Sequence, residues 1–389
     1  MNLTINGYHI VWIILTTFIV SAILTPITKK IAFHIHAVNE PNYRRLNKVT
    51  MPVLGGMAIF ASFLIGYMIF GRASTEMIAI LIGAFLMFMM GLIDDIKPIP
   101  AKYKFLIEII ACCIVIFYGE IFIDHLSILG LSLTFSSPIS YIVTLGIMLV
   151  IINIINLCDG LDGLCSGTSV IYFTTITIIA FLMGTAGGLD ITIALLMVGS
   201  LLGFLVHNFP PAKQYLGDNG SNFIGFMIAI TALLGFKTAT FTSIIIPLVI
   251  LATPFIDVIF SVIRRVLRGQ NPFTTPDKNH IHHQFLNMEF STRSSVIIIY
   301  IINISFAAVS VLYAIGFTDY AFILYFALMI IFLFIALKTE VIFKRNTDPI
   351  EEQLMMNLKE DTSEKKEKTP SNKTKKASTK KNKKGKRSK

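Results

Sequence analysis

Five short polar segments interrupt a chain that is otherwise strongly apolar, and they hold most of its chemically capable side chains. The first is Gly91-Leu92-Ile93-Asp94-Asp95-Ile96-Lys97-Pro98. Two adjacent carboxylates repel each other, which favours either a bound cation or one proton retained between them. A divalent ion or a general base would use that; a solvated pair beside Lys97 is the plainer alternative. The second segment, Asn156-Leu157-Cys158-Asp159-Gly160-Leu161-Asp162-Gly163, repeats a polar group in steps of three. On a helix this spacing sets Asn156, Asp159 and Asp162 along one face, and the glycines admit a close backbone or a phosphate. It is not a calcium loop, because the closing Glu is missing. In the third segment, Tyr215 to Ser221, Asp218 or Ser221 can cap the helix that follows. A helix start also attracts phosphate, so magnesium and a diphosphate suit this place. Tyr215 could stack on a base or simply anchor at the membrane interface.

The fourth segment carries Arg264, Arg265 and Arg268, then Asp277-Lys278-Asn279-His280-Ile281-His282-His283. Such a basic cluster can grip a diphosphate through charge-assisted hydrogen bonds. Zinc is the weaker reading, because there is no His-Glu-x-x-His and no ligand-spaced cysteine. The fifth segment holds Tyr43-Arg44-Arg45-Leu46-Asn47-Lys48, then Pro52 and Gly55-Gly56. Lys48 suits a phosphate, and the glycines suit close helix packing. His34 and His36 read as interfacial, and Asp257 as a structural residue inside a helix.

These segments need rigid elements to hold them. Of the 389 residues 54% are hydrophobic and only 14% charged, far below the roughly 25% charge of soluble domains. Apolar stretches such as Ile10 to Thr25, Val53 to Phe70 and Met77 to Ile93 run near the ~20 residues that cross a bilayer. The expected fold is all-α and polytopic, with about 11 transmembrane helices. They are expected near 8–28, 53–71, 76–93, 104–120, 138–156, 166–185, 190–208, 221–236, 243–266, 295–316 and 320–340. A barrel would instead show short alternating segments. The first basic residue is Lys29, so the first apolar stretch reads as a retained helix. Cys112, Cys113, Cys158 and Cys165 show no framework spacing and read as reduced packing residues.

Charge orients the bundle. One set of alternating loops holds 14 basic residues, and the other holds only Arg72 and Lys237. By the positive-inside rule the first set is cytoplasmic. The N-terminus is then outside, the C-terminus cytoplasmic, and all five polar segments share the cytoplasmic face. Residues 1–340 carry 17 basic and 16 acidic side chains, against 16 and 7 in residues 341–389. The division is therefore a transmembrane catalytic domain, 1–340, and a basic tail, 341–389, too polar to bury a core. A chain whose excess charge sits in a tail is a poor candidate for nucleic acid; anionic lipid is the better partner for that tail.

Together the five segments resemble those of the polyprenyl-phosphate N-acetylhexosamine-1-phosphate transferases, the WecA/TagO-like members of glycosyltransferase family 4, related to MraY. Asp94-Asp95, Asn156 to Gly163, Gly217-Asp218 and His280-Ile281-His282-His283 stand in family order across residues 8–340. The resemblance implies a multi-pass enzyme of the plasma membrane whose substrates are UDP-GlcNAc and undecaprenyl phosphate. Its products would be undecaprenyl-diphospho-GlcNAc and UMP, with Mg2+ as cofactor and Mn2+ as an alternative ion. This would be the first step of a lipid-linked cell-surface glycan, teichoic acid or similar, and a homodimer is compatible with it. By the same resemblance Asp94 is the base, Asp95 assists it or the metal, and Asp218 is the main metal ligand. Asn156 and Asp159 surround the metal, and Asp162 and Tyr215 lie near the uridine. Lys48, His280, His282 and His283 contact phosphate, and the Arg264-Arg265 pair recurs. Asn47 departs from the family, where a His is common. The His-Ile-His-His form points away from the muramyl-pentapeptide branch, which remains the alternative within the enzyme reading. A phospho-sugar or lipid transporter is the alternative of another class; it would place polar groups at the bilayer midplane in two matching halves. On this reading truncation after Glu340 leaves turnover in detergent intact, and a collapse of UMP release in the truncated chain would contradict it.

Overall fold

A computed structural model describes residues 3–40, 49–128, 131–237, 245–267, 284–286 and 288–338. The tail 341–389 lies outside the described residues. The fold is mostly helical: α1 Ile10–His34, α2 Gly55–Phe70, α3 Thr75–Ile96, α4 Ala101–Cys113, α5 Ser137–Cys158, α6 Leu164–Met183, α7 Leu189–Asn208, α8 Asp218–Lys237, α9 Ile245–Ile250, α10 Ala252–Leu267, α11 Thr292–Ala314 and α12 Thr318–Lys338. Short antiparallel pairs join some of them: β1 Thr4–Ile5 with β2 Tyr8–His9, β3 Val38–Asn39 with β4 Met51–Pro52, and β5 His125–Ile128 with β6 Leu131–Thr134. Among the described residues six helices are long and apolar enough to cross a membrane: α1, α3, α5, α6, α7 and α11.

Several boundaries differ from the sequence expectation, α3 running on to Ile96 and α8 starting at Asp218 among them. The first helix runs on to His34, so Lys29 and Lys30 stand on its last turns rather than in a loop. The stretch 104–120 starts earlier, at Ala101, and ends in a π turn, Ile114–Tyr118. The stretch 243–266 is broken at Leu251 into α9 and α10. Pro254 accounts for the break, because a proline ring clashes with the carbonyl four residues before it, here Ile250.

The core is centred on α8. Every residue from Asn219 to Gly235 is buried, as expected of a helix that is apolar all round. Its Phe223 meets Phe60 of α2 edge-on at 5.2 Å, and Phe60 stacks on Phe88 of α3 at 4.6 Å. In an apolar solvent no hydrophobic gain drives one helix against another, so close approach depends on small residues. α1 lays Thr17 and Ser21, both buried, against Gly199 and Gly203 of α7. Gly56 of α2 lies on Asn219 and Gly220 of α8, and Gly91 of α3 lies on the backbone of Asp218 and Asn219. The close packing expected of Gly55-Gly56 is therefore present.

A β-carbon at Gly91 would overlap the α8 backbone, which has no side-chain freedom with which to yield, whereas one at Gly146 of α5 meets nothing within 4 Å. Gly91→Ala is expected to lower the thermal stability of the detergent-solubilised protein by about 1–3 kcal/mol. Gly146→Ala should leave it unchanged or slightly raised. The exposure of buried Cys112 and Cys165 to a thiol-reactive dye during heating measures both; equal melting of the two variants would contradict the packing argument.

Candidate active site

At one end of the bundle the last turns of α3 and α5 meet the first turns of α2, α4 and α8. A backbone staple positions the start of α8. Tyr215 donates its N–H to Pro52 O at 2.9 Å, and the Tyr215 and Leu216 carbonyls accept from Gly55 and Gly56 at 3.0 Å each. These carbonyls satisfy two amide donors that a helix start leaves open. Gly217, at φ +78°, then turns the chain into α8, with Val53 O and the Asp95 carboxylate too close for a side chain there.

The α8 amides are not capped by Asp218 or Ser221, as the sequence alone suggested. The cap comes from another helix: Asp95 Oδ1 accepts the Asp218 N–H at 2.9 Å, and Oδ2 accepts the Asn219 N–H at 3.0 Å and the Asn219 side-chain amide. An anion at a helix start is stabilised by the dipole and by the unpaired donors together. Ser221 instead accepts from Asn156 Nδ2 at 2.8 Å, tying α5 to the same turn. Asn219 Nδ2 also donates to Val53 O at 3.0 Å.

Asp94 points elsewhere. α3 ends at Ile96, Lys97 is extended, and the turn through Pro98 and Pro100 folds the chain back. Asp94 Oδ1 accepts the Ile99 N–H at 2.7 Å. Its Oδ2 lies 2.6 Å from Lys104 Nζ, and the same ammonium lies 2.8 Å from Asp218 Oδ2. Lys104, in the first turn of α4, thus bridges two carboxylates whose oxygens converge on one cation. Further along α4, buried Glu108 accepts from Asn153 Nδ2 of α5 at 2.8 Å.

The expected helical face Asn156, Asp159 and Asp162 does not form. α5 ends at Cys158, and Asp159 caps it at φ −78°, ψ 49°. Gly160 and the left-handed Gly163, φ +73°, end the helical repeat, and Gly163 starts α6. Only Asn156 of the three stands on the helix. Asp162 turns to the neighbouring loop, where it accepts the Ala212 N–H at 2.9 Å. Burial pushes its pKa up against that bond. Burial, then the carboxylates of Asp218, Asp95 and Asp162, push Asp159 well above the usual range. A cation brought among these groups would hold Asp159 ionised.

The structure thus brings together Asp94, Asp95, Asn156 and Asp218, with Asp159 in electrostatic reach and Asp162 on the adjoining loop. Tyr215 is half-buried and packs with Ala32, Ala37, Val53 and Leu54. Arg264 is buried and Arg265 half-buried at the end of α10, each engaged in further polar or electrostatic contact. Lys48, His280, His282 and His283 lie outside the described residues. Sequence reasoning counted Lys104 only as a positive-inside lysine. A signal was present: a lysine just after two helix-ending prolines stands in the first turn of a helix that doubles back on the preceding aspartates.

Among the described residues no three Asp, Glu, His or Cys side chains gather as a ready metal cage. Magnesium does not require one, since it binds through one or two carboxylates plus water and substrate phosphate. The convergence of Asp94 and Asp218 on the Lys104 ammonium, a stand-in cation, fits that donor set.

The profile of Glycosyl transferase family 4 matches residues 77–236, which hold Asp94, Asp95, Lys104, Asn156, Asp159, Asp162 and Asp218. A probable undecaprenyl-phosphate N-acetylglucosaminyl 1-phosphate transferase of Bacillus subtilis is 41% identical over 301 residues, covering 76% of this chain and 83% of that protein. The undecaprenyl-phosphate alpha-N-acetylglucosaminyl 1-phosphate transferase of Escherichia coli K12 is 26% identical, covering 77% and 82%. The decaprenyl-phosphate N-acetylglucosaminephosphotransferase of Mycobacterium leprae is 28% identical, covering 74% and 79%. With polar helix ends of this chemistry inside the matched segment, the chain belongs to glycosyl transferase family 4, among the polyprenyl-phosphate N-acetylhexosamine-1-phosphate transferases.

Proposed function

We propose that the protein transfers N-acetylglucosamine-1-phosphate from UDP-GlcNAc to undecaprenyl phosphate in a Mg2+-dependent reaction. The products are undecaprenyl-diphospho-GlcNAc and UMP, the first lipid-linked intermediate of a cell-surface glycan such as teichoic acid. The carrying observation is the convergence of Asp94 and Asp218, from different helices, on the cation Lys104 at one end of the bundle. The names of the relatives support the choice of substrates. The loop-charge bias supports a plasma-membrane protein of about 11 spans with the N-terminus outside and this end of the bundle in the cytoplasm.

Phosphoryl transfer depends on positioning and charge neutralisation more than on covalent chemistry by the protein. Two anions must meet, one held in the membrane and one arriving from the cytosol. An oxygen of the lipid phosphate bonds to the β-phosphorus of the donor, the bond from that phosphorus to the bridging oxygen breaks, and UMP leaves. Asp94 accepts the proton of the lipid phosphate. Asp218 would be the main residue to hold the metal, with Asn156 and Asp159 beside it. Bound Mg2+ would neutralise the donor diphosphate and polarise the phosphorus. Asp95, its oxygens engaged by the α8 amides, positions Asp218 rather than reacting. Asp162 and Tyr215 serve the nucleotide end, and Lys48, Arg264, Arg265, His280, His282 and His283 serve the phosphates.

Purified protein with undecaprenyl phosphate and Mg2+ should release UMP from UDP-GlcNAc. No UMP with any UDP-amino sugar would sink the proposal, and release only from the UDP-muramyl-pentapeptide would move the chain to that branch. Asp94→Asn and Asp218→Asn should each lower turnover by about 10²-fold or more, in protein that remains folded. Near-normal turnover in either variant would refute its assigned role.

A further inference from the structure

Lys104 is placed where the proposed chemistry needs a different cation. Its ammonium is 2.6 Å from Asp94 and 2.8 Å from Asp218, while Lys97 and Lys102, on the same turn and helix start, are exposed. The contact joins α4 to α8 across 114 residues of chain. Two carboxylates meeting at a half-buried position without a cation would repel strongly. The Lys104 ammonium, in contact with both, offsets one of their two charges. A divalent ion approaching Asp218 meets an ammonium already on the oxygen it needs, and the two cations repel at that distance. Lys104 hangs on a flexible four-carbon stem, so it can leave Asp218 while its backbone stays fixed in α4.

We propose that Lys104 is an internal counter-ion that holds Asp94 and Asp218 together in the metal-free protein and is exchanged for the divalent ion at Asp218 on metal loading. The inference rests on the metal-ligand reading of Asp218. Its consequence is that intrinsic affinity for the free metal is held down, because each binding event must displace an ion pair. Loading also releases the Lys104 ammonium from Asp218.

The test uses full-length protein in detergent and Mn2+ as the probe, followed by electron paramagnetic resonance of free Mn2+ without substrates. Lys104→Met should bind Mn2+ about tenfold or more tightly than the wild type. A second measurement needs no variant: acetylation of wild-type Lys104 by a water-soluble acylating reagent, read by mass spectrometry, should rise severalfold in saturating Mn2+. Lys97 and Lys102 serve as internal references and should not change. Equal or weaker Mn2+ binding by a folded Lys104→Met variant overturns the exchange while leaving the metal reading intact. So does Lys104 acetylation that Mn2+ leaves unchanged or lowers in a wild type that binds the ion. If the variant does not fold, the acetylation result decides alone. Mn2+ binding by neither protein overturns the metal reading and the exchange together.

Discussion

The start of α8 is a buried helix terminus, and a buried terminus exposes amide donors that must find acceptors. Burying them without partners would cost about 1–3 kcal/mol each. Asp95 answers this need from α3, accepting the Asp218 and Asn219 amides. Most of the site follows from that one carboxylate. It sets the distance between α3 and α8, which explains why Gly91 must lie directly on the α8 backbone. Once Asp95 is committed, Asp94 on the adjoining position must face another way, toward Lys104 and the turn after α3. Asp218, the first residue of the capped helix, is carried to the same ammonium.

Small residues let this arrangement exist at the end of an apolar helix bundle. α8 is apolar and buried along its length, so every neighbour competes for its surface. Glycines on α2 and α3 bring those helices onto its first turns, and the staple from Tyr215 and Leu216 to Gly55 and Gly56 fixes its approach. Five helix ends, from α2, α3, α4, α5 and α8, are thereby held in register by backbone and amide contacts. Flexible charged side chains alone would not achieve this. A reaction that depends on positioning two anions calls for that rigidity.

The acidic residues consequently hold different physical states although their side chains are alike. Asp95 is a structural cap whose oxygens are held by the first amides of α8. Asp94 and Asp218 share one lysine, which offsets one of their two charges. Asp159 sits among the like charges of Asp218, Asp95 and Asp162, and Asp162 is spent partly on the Ala212 amide. One fold separates five carboxylates into these environments within a few turns of helix.

Apolar length and the scarcity of charge determined by themselves that the chain is a bundle of membrane helices. The Asp94-Asp95, Asn156 to Gly163 and Gly217-Asp218 segments likewise determined where chemistry could occur, because carboxylates beside apolar helices need a local reason. Local rules erred where local signals competed: the three-residue spacing suggested one helical face, yet Gly160 and Gly163 ended the helix after Cys158. Tertiary structure alone decided which aspartate caps and which faces a cation. Asp95 meets Asp218 across 123 residues and Lys104 meets Asp218 across 114. No spacing rule reaches that far, because such contacts are set by how helices pack and by which buried donor is left in want of an acceptor.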